Sequence, residues 1–166
     1  MAASTETGEN GAGRLSHEAR NLEWLLTNFV EEVPGVHSVA VVSSDGLLLI
    51  TSDAVAGART DEGNGRSPSG STADLATVVS GIAALTDGAS RLMDGGKVRQ
   101  TAVAMENGSV FVMSISDGSL LGVHATADCD MSVVAYHMAL FVGRAGHVLT
   151  PDLRTELRKV IEEGGL

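Results

Sequence analysis

The sequence predicts an α+β domain: a five-stranded antiparallel sheet with helices in the order α-β-β-α-β-β-β-α, plus a short helix at the C terminus. Two observations carry this prediction. Apolar residues recur at helical spacing in three long segments, whereas five short runs are rich in Val, Leu and Ile. Tight turn signals join most of the short runs, and strands joined by hairpins pair antiparallel, because parallel strands need a crossover.

The first helix and the first hairpin open the domain. Ser16 is a suitable N-cap for the helix, and Pro34-Gly35 stops it. Trp24 lies among the apolar residues of this helix and is expected in the core, with an anchor for a partner protein as the alternative. Residues 36–53 then form two β-rich runs joined by SSDG, which predicts a hairpin because Gly readily adopts positive φ.

The second helix, near residues 73–96, has two contrasting sides. It is expected to begin at a cap at Ser71 or Thr72 and to end at Gly95-Gly96. Its helical period assigns one side to the core, at positions 75, 78, 79, 82, 85, 89, 92 and 93. The opposite side is small and nearly uncharged: Ala73, Ala76, Thr77, Ser80, Ala84, Asp87, Gly88 and Arg91. A solvent-facing helix ordinarily carries Glu and Lys there.

Three more strands and two more helices complete the pattern. Residues 97–105, 110–115 and 119–126 are expected to form an antiparallel meander, and Asn107-Gly108 is a strong hairpin signal between the first two. Asp130 then precedes a third long helix that is expected to end near residue 149. The first and third helices are expected to cover one face of the sheet, which leaves the second helix for the other face or an edge.

Composition divides the chain into three regions. Residues 1–15 are small, polar and Gly-rich, which predicts a disordered N-terminal tail. The domain spans 16–149, and within it residues 53–71 have no apolar period and are expected to form a flexible loop. Residues 150–166 form a C-terminal helical extension.

Charge and cysteine content exclude several classes of function. The formal net charge is −10 and the pI is about 4.8, so a nucleic-acid phosphate backbone is repelled. The lone Cys129 cannot form an internal disulfide. The first residues lack the basic start and apolar run of a secretory signal, and no apolar run is long enough for a membrane span. We therefore expect a cytoplasmic protein, with recruitment to the membrane face only through partners.

Catalytic and cofactor motifs are absent from the sequence. Gly95-Gly96-Lys97-Val98 lacks the glycine spacing and the hydroxyl residue of a P-loop, so this chain is not itself a P-loop GTPase. Cys129 is flanked by two aspartates, which disfavour a thiolate, and a buried hydrophobic role fits it better. The five histidines show no zinc spacing. We expect no enzyme activity, no cofactor and no metal.

The small, nearly uncharged side of the second helix predicts a protein interface. Gly81 and Gly88 each cost about 1 kcal/mol relative to Ala inside a helix, so they need a packing reason. The alternative is that this side is merely rich in Ala, the best helix former. The strand 97–105 is expected to lie at a sheet edge and to pair with its twin in a homodimer. The expected interface residues are Ala73, Thr77, Ser80, Gly81, Ala84, Asp87, Gly88, Arg91, Arg99, Thr101 and Val103.

Two stretches resemble a known family. The pattern PGVxxxxVxxxDGLxL, from Pro34 to Leu49, and the later helix GIAALTDGASRL resemble the roadblock/dynein light-chain family. The resemblance covers residues 16–149, and it is nearest to the bacterial regulators of Ras-like GTPases found in conservon operons and gliding-motility systems. It implies a roadblock, profilin-like fold and a homodimer whose second helices pack beside a continuous sheet.

The resemblance also implies partners, and three hypotheses of function remain open. The leading one is a non-catalytic homodimeric regulator of a small Ras-like GTPase, in a signalling complex that also contains a sensor kinase. The second is a homodimeric scaffold that leaves nucleotide turnover unchanged. The third is a small-molecule sensor with a pocket between the sheet and the helices.

Overall fold

The fold is seen in a computed structural model that describes residues 15–53, 69–115 and 118–164, with backbone alone for 69–74 and 164. The predicted tail, most of the predicted 53–71 loop and the Ser116-Asp117 turn lie outside these described residues. The predicted order of elements is confirmed. The elements are α1 (His17–Glu32), β1 (Val36–Val42), β2 (Leu48–Thr51), α2 (Ser69–Leu92), β3 (Gln100–Met105), β4 (Gly108–Ser114), β5 (Leu120–Ala125), α3 (Met131–Val148) and α4 (Pro151–Gly164).

The five strands form one antiparallel sheet in the spatial order β2-β1-β5-β4-β3. The meander is confirmed, since β3 pairs with β4 and β4 with β5. The first hairpin joins the meander through β1 and β5, where Val39 lies opposite Val123. β3 is thus an edge strand, as predicted, and its register places Val103 opposite Val110.

Helices cover both faces of the sheet. α1, α3 and α4 lie on one face, where Leu22, Leu26, Phe111 and Met138 belong to the larger buried cluster. Among the described helices, α2 lies on the other face, over a smaller cluster that includes Val79. Alternate residues of β1 divide between the two clusters, because successive side chains of a strand point to opposite faces. The predicted pairing of the first and third helices on one face is confirmed.

Side-chain caps hold the predicted helix starts. Ser16 Oγ accepts a hydrogen bond from Ala19 N at 3.2 Å at the start of α1. Asp130 Oδ1 accepts from Ser132 N and Val133 N at the start of α3, which satisfies two amides that have no partner within the helix. Thr150 Oγ1 accepts from Leu153 N at 3.2 Å beside α4.

Two predicted boundaries are wrong. α2 begins at Ser69, so the expected caps Ser71 and Thr72 lie inside the helix rather than before it. β3 begins at Gln100 rather than at residue 97. Helix and strand ends are set by tertiary packing as well as by local propensity, and sequence patterns locate them only to within a few residues.

Trp24 is also misplaced by the prediction, because 56% of its side chain is exposed. The buried side of α1 follows Leu22, Leu26 and Phe29. At about 100° per residue, position 24 points away from that side. Apolar neighbours in sequence therefore did not make Trp24 a core residue.

An exposed ion pair fastens α4 to the β1–β2 turn. Arg158 Nη2 lies 3.1 and 3.2 Å from the two carboxylate oxygens of Asp45. The Ser43 hydroxyl, then the backbone amide of Asp45 itself, and then Arg158 lower the pKa of Asp45 below its ordinary value of 3.8, although desolvation opposes this. The charged carboxylate is thus the form that these contacts favour.

A pH dependence follows from the direction of this shift. A group whose pKa is depressed by folding stabilises the fold above its unfolded pKa, and the stabilisation is lost as pH falls through the folded pKa. We expect Asp45→Asn to lower the melting temperature slightly at neutral pH, and the difference from wild type to vanish below pH 3.8. Thermal melts of both proteins across this range measure it, and a difference that grows on acidification would contradict the assignment.

Candidate protein interface

α2 packs on the sheet through a narrow strip of small and medium side chains. Leu75, Ala76 and Val79 are buried, and Ile82 and Ala83 are half-buried beside them. The contact is close because β5 has a glycine beneath the helix. A Cβ added at Gly122 would lie 2.3 Å from Val79 Cγ2, which no real contact allows. Gly122 therefore sets how closely α2 approaches the sheet.

The predicted core side of α2 is largely wrong. Val78 is 46% exposed, Leu85 78%, Leu92 91% and Met93 81%, and position 89 is exposed as well. Ala76, which was expected on the outer side, is buried instead. The helix is rotated relative to the prediction because the contact with Gly122 favours the side that carries Val79 and small neighbours.

The outward side of α2 consequently combines an apolar ridge with gaps. Val78, Leu85 and Leu92 recur every seven residues and form the ridge. Gly81 and Gly88 lie beside it, and a Cβ added at either position would meet nothing within 4 Å. The packing reason that these glycines need is thus not supplied by the described part of this chain. Small residues next to an apolar ridge allow a second backbone to approach closely.

The exposed edge of the sheet lies beside this ridge. Three residues of β3 point to the face of the sheet that α2 covers: Thr101, Val103 and Met105. The first two lie opposite Val112 and Val110 of β4, which pack beneath the helix. Met105 follows at the next alternate position and points the same way. Val103 and Met105 are exposed. Among the described strands, none pairs with the outer edge of β3. We call the outward side chains of α2 together with these three residues of β3 the α2–β3 surface.

Most of the predicted interface residues lie on or beside this surface. The two charged residues predicted for the α2 part of the interface form an ion pair, in which Arg91 Nη2 lies 2.7 Å from Asp87 Oδ2. Ser80 is half-buried and donates to Ala76 O at 2.8 Å. The side chain of Ala73 lies outside the described residues. The remaining predicted residues are exposed or half-exposed: Thr77, Gly81, Ala84, Gly88, Arg99, Thr101 and Val103.

A small substitution at Gly81 separates folding from association. We expect Gly81→Ala to raise the free energy of unfolding by about 0.5–1 kcal/mol, because Ala is the better helix former and its methyl has free space. Urea denaturation at a concentration where the chain is monomeric measures this effect. The same methyl is expected to weaken self-association measured by light scattering. A loss of monomer stability would contradict the structure.

A cleft with two basic residues lies at one end of the α2–β3 surface. It has a volume of about 340 Å³, between α2 and the start of β3. Lys97 and Arg99 line it together with Asp87, whose carboxylate pairs with Arg91, and with hydroxyl groups that include those of Ser80 and Ser114. In a chain of net charge −10, this cleft offers an acidic partner a local positive charge.

A second cleft, of about 560 Å³, lies at the opposite end of the surface. We call it the histidine cleft, because the rings of His37 and His124 approach to 5.4 Å between centroids within it. Burial raises the pKa of Asp53, which also lines the cleft, while the charge of His124 partly offsets that rise. Its remaining walls include the apolar side chains of Val78 and Met105.

The described ranges contain no arrangement typical of a metal centre or a membrane span. No three His, Cys, Asp or Glu side chains within them are placed to hold a metal ion. No helix within them combines the length and apolar character that crossing a bilayer requires. Cys129 is half-buried and packs against the larger core cluster, as expected of a small hydrophobic residue.

Sequence reasoning missed the residues that give this surface its apolar character. Val78, Leu85 and Leu92 were assigned to the core, and Met105 was not assigned at all. The seven-residue spacing was a usable signal, since a repeat of this kind is typical of helices that pack against another helix. It was hidden because the side toward the sheet is also apolar.

Comparisons with known proteins agree with this architecture. Residues 64–125 match the family model of the Roadblock/LC7 domain. A Roadblock/LC7 domain from Streptomyces avermitilis is 30% identical, with a TM-score of 0.63, over 77% of this chain and 98% of that one. None of the curated proteins compared matches the sequence.

Two more distant structures share the fold. The gliding protein MglB from Thermus thermophilus is 15% identical, with a TM-score of 0.65, over 85% of this chain and 97% of that one. MglB from Myxococcus xanthus is 12% identical, with a TM-score of 0.64, over 82% of this chain and 92% of that one.

Proposed function

Because the chain belongs to the Roadblock/LC7 family, we propose that it is a non-catalytic homodimeric regulator that binds a small Ras-like GTPase. One observation carries the proposal. The α2–β3 surface exposes an apolar ridge, glycines with no neighbour in the described chain, and a strand edge without a partner among the described strands. Such a surface is typical of a protein interface.

Self-association accounts for the two parts of the surface together. Pairing of β3 with its twin across a two-fold axis extends the sheet and satisfies the outer edge of the strand. The same axis brings the α2 ridges of the two copies side by side. At this contact Leu85 and its neighbours on the ridge become buried from solvent. Full burial of a Leu side chain contributes about 1.5–3 kcal/mol, so the ridge favours a stable dimer.

The proposed action on the GTPase is differential binding rather than chemistry. A dimer that binds one state of the switch segments better than the other shifts the GTPase toward that state. The cleft beside Lys97 and Arg99 favours an acidic partner. We propose that acidic residues of the GTPase bind there. We extend the proposal to a cytoplasmic signalling complex that includes a sensor kinase, as the resemblance to conservon-type regulators implies.

The experiment that tests this proposal uses a small Ras-like GTPase encoded beside the gene, which the resemblance to conservon-type regulators leads us to expect. We expect the protein to retain this GTPase in a pull-down, with different affinity for its GDP form and for a non-hydrolysable GTP-analogue form. Hydrolysis and nucleotide release measured with and without the protein separate the regulator from the scaffold, which changes neither rate. Equal or absent binding to both forms would refute the regulator.

The small-molecule sensor remains a second candidate because of the histidine cleft. Its volume lies in the range of ligand sites, and it combines apolar walls with three titratable side chains. A ligand that binds the folded state raises apparent stability, so a thermal-shift screen with a metabolite panel tests this function. His124→Ala is expected to abolish any shift that arises in this cleft.

A further inference from the structure

A β-bulge in β1 places two histidines side by side in the histidine cleft. The register of β1 against β5 shifts between Val36 and Ser38, so that His37 is an extra residue in the ladder. Val36 and Val39 consequently both belong to the larger core cluster, although strict alternation would send them to opposite faces. His37 lies instead beside His124 in the cleft, on the face of the sheet that α2 covers.

The backbone on both sides of this histidine pair accommodates it. A bulge leaves one residue unpaired and interrupts the ladder, and bulges are common next to functional sites, where they redirect a side chain. On β4, a Cβ added at Gly108 would lie 3.3 Å from His124 Nε2 and would crowd the ring. The bulge and the glycine together therefore allow two imidazole rings to share one cleft.

The charged groups of the cleft favour a cation. Asp53 contributes a half-buried carboxylate, and an imidazole in its neutral form offers one acceptor nitrogen. The described residues that line the cleft include no Lys or Arg, since the basic pair named above lines the cleft at the opposite end of the α2–β3 surface. Glu106 follows β3 and Asp128 follows β5, so two further exposed carboxylates lie at this end of the sheet. A positively charged donor therefore meets acceptors here, whereas an anion meets carboxylates.

Partial burial makes the carboxylate of Asp53 responsive to such a donor. Burial raises the pKa of Asp53, because a carboxylate loses hydration when it is removed from water. A cation at hydrogen-bond distance replaces part of that hydration and favours the charged form, as the charge of His124 does in part. A cationic ligand thus offsets a desolvation cost that folding imposes on this group.

The remaining wall of the cleft is apolar. Leu75 and Val110 are buried there. Val78 and Met105 are exposed, so they offer apolar surface that a ligand can cover. The thioether of a methionine also makes favourable contacts with an aromatic ring. The cleft volume, about 560 Å³, lies within the range of small-molecule sites.

From these features we infer that the histidine cleft binds a small organic amine, whose ammonium group is carried on an alkyl or aryl body. The ammonium group donates to the carboxylate of Asp53 and to the acceptor nitrogens of the histidine pair. The apolar body covers Val78 and Met105. The inference rests on the sensor function proposed for this cleft and adds the class of ligand. It does not depend on binding of a GTPase, so either proposal can fail alone.

Three probes that share a phenyl ring on a short chain test the charge of the ligand: phenethylamine, phenethyl alcohol and phenylpropionate. Isothermal titration calorimetry is done at about pH 8, where an alkylammonium is charged and a free histidine is neutral. We expect the amine to bind about tenfold tighter than the alcohol, and the carboxylate not to bind. If the alcohol or the carboxylate bound as tightly as the amine, the sensor would stand and the class of ligand would be wrong. No binding of any probe at millimolar concentration would overturn the site itself.

A matched pair of variants assigns the charge preference to one carboxylate. Asp53→Asn keeps the shape of the side chain and removes its charge, so we expect the affinity for phenethylamine to fall about tenfold, to that of the alcohol. Glu106→Gln removes an exposed carboxylate that does not line the cleft, and we expect a change of less than about twofold. Circular dichroism checks the fold of both variants. Equal losses in the two variants would overturn the role of Asp53.

A measurement on the wild-type protein locates the ligand even if a variant fails to fold. The ring C–H signals of the five histidines report ligand contact by nuclear magnetic resonance. We expect phenethylamine to shift the signals of His37 and His124. The signals of His17 and His147 are expected to stay in place, because these residues lie in α1 and α3 on the other face of the sheet. Equal shifts of all five signals, or none for the histidine pair, would overturn the inference.

Discussion

Leu85→Asp is expected to abolish the dimer contact that is formed through α2 and β3. Leu85 is exposed on the ridge of α2, so the substitution removes no packing from the core. In the dimer it occurs twice, and each copy loses about 2 kcal/mol of apolar burial and gains a carboxylate that must be desolvated. We expect the dissociation constant to rise about a thousandfold or more, since each 1.4 kcal/mol is tenfold.

Matched variants keep this prediction specific. Leu47→Asp makes the same change at another exposed leucine, in the β1–β2 turn, and is expected to leave association unchanged. Gly88→Arg places bulk and charge beside the ridge without touching any described neighbour, and it is expected to act like Leu85→Asp. Light scattering over a dilution series measures all three. If wild type, Leu85→Asp and Gly88→Arg formed dimers of equal stability, the α2–β3 surface would not be the dimer interface.

Gly122→Ala is expected to have the largest effect on stability among single-methyl changes in the sheet. The added Cβ would lie 2.3 Å from Val79 Cγ2, and Val79 is fully buried. The valine side chain has few rotamers, so α2 itself has to move away from β5. Overpacking of this kind costs about 1–3 kcal/mol, and urea denaturation measures it.

The position of α2 gives this prediction a second readout. A helix displaced from the sheet no longer holds its ridge in line with β3, so Gly122→Ala is also expected to weaken self-association. Gly81→Ala is the control for the stability measurement alone, since it adds the same methyl to a glycine on the outer side of the helix, where it meets no described neighbour. If Gly122→Ala were as stable as wild type, the close packing of α2 on β5 would be wrong.

Much of the fold was predictable from local signals. Pro34-Gly35 ends α1, Asp130 caps α3, and the turn at Asn107-Gly108 closes the β3–β4 hairpin, and each of these acts within a few residues of its own position. The edge position of β3 followed from the meander. Caps and turns of this kind depend on residues that are adjacent in the chain, so a single sequence is enough to predict them.

The orientation of α2 was not predictable in the same way. Both sides of the helix carry apolar residues, so the helical period alone did not decide which side meets the sheet. The deciding contact, Val79 on Gly122, joins residues far apart in the chain. For the same reason the prediction named the small residues of the interface and assigned Leu85 and its ridge to the core.

Trp24 shows a related limit. Its neighbours in sequence are core residues, yet the helix turns its side chain outward. A large aromatic residue on an amphipathic helix is assigned to the core by composition, whereas its phase places it on the surface.

Hydrogen exchange at the outer edge of β3 tests the central claim most directly. In an isolated chain, the amides of Gln100–Met105 that point away from β4 have no partner among the described strands. Pairing of β3 with its twin protects them, so we expect slow exchange in the wild type at concentrations where it is dimeric and fast exchange in Leu85→Asp. Fast exchange of these amides in both proteins would contradict the account.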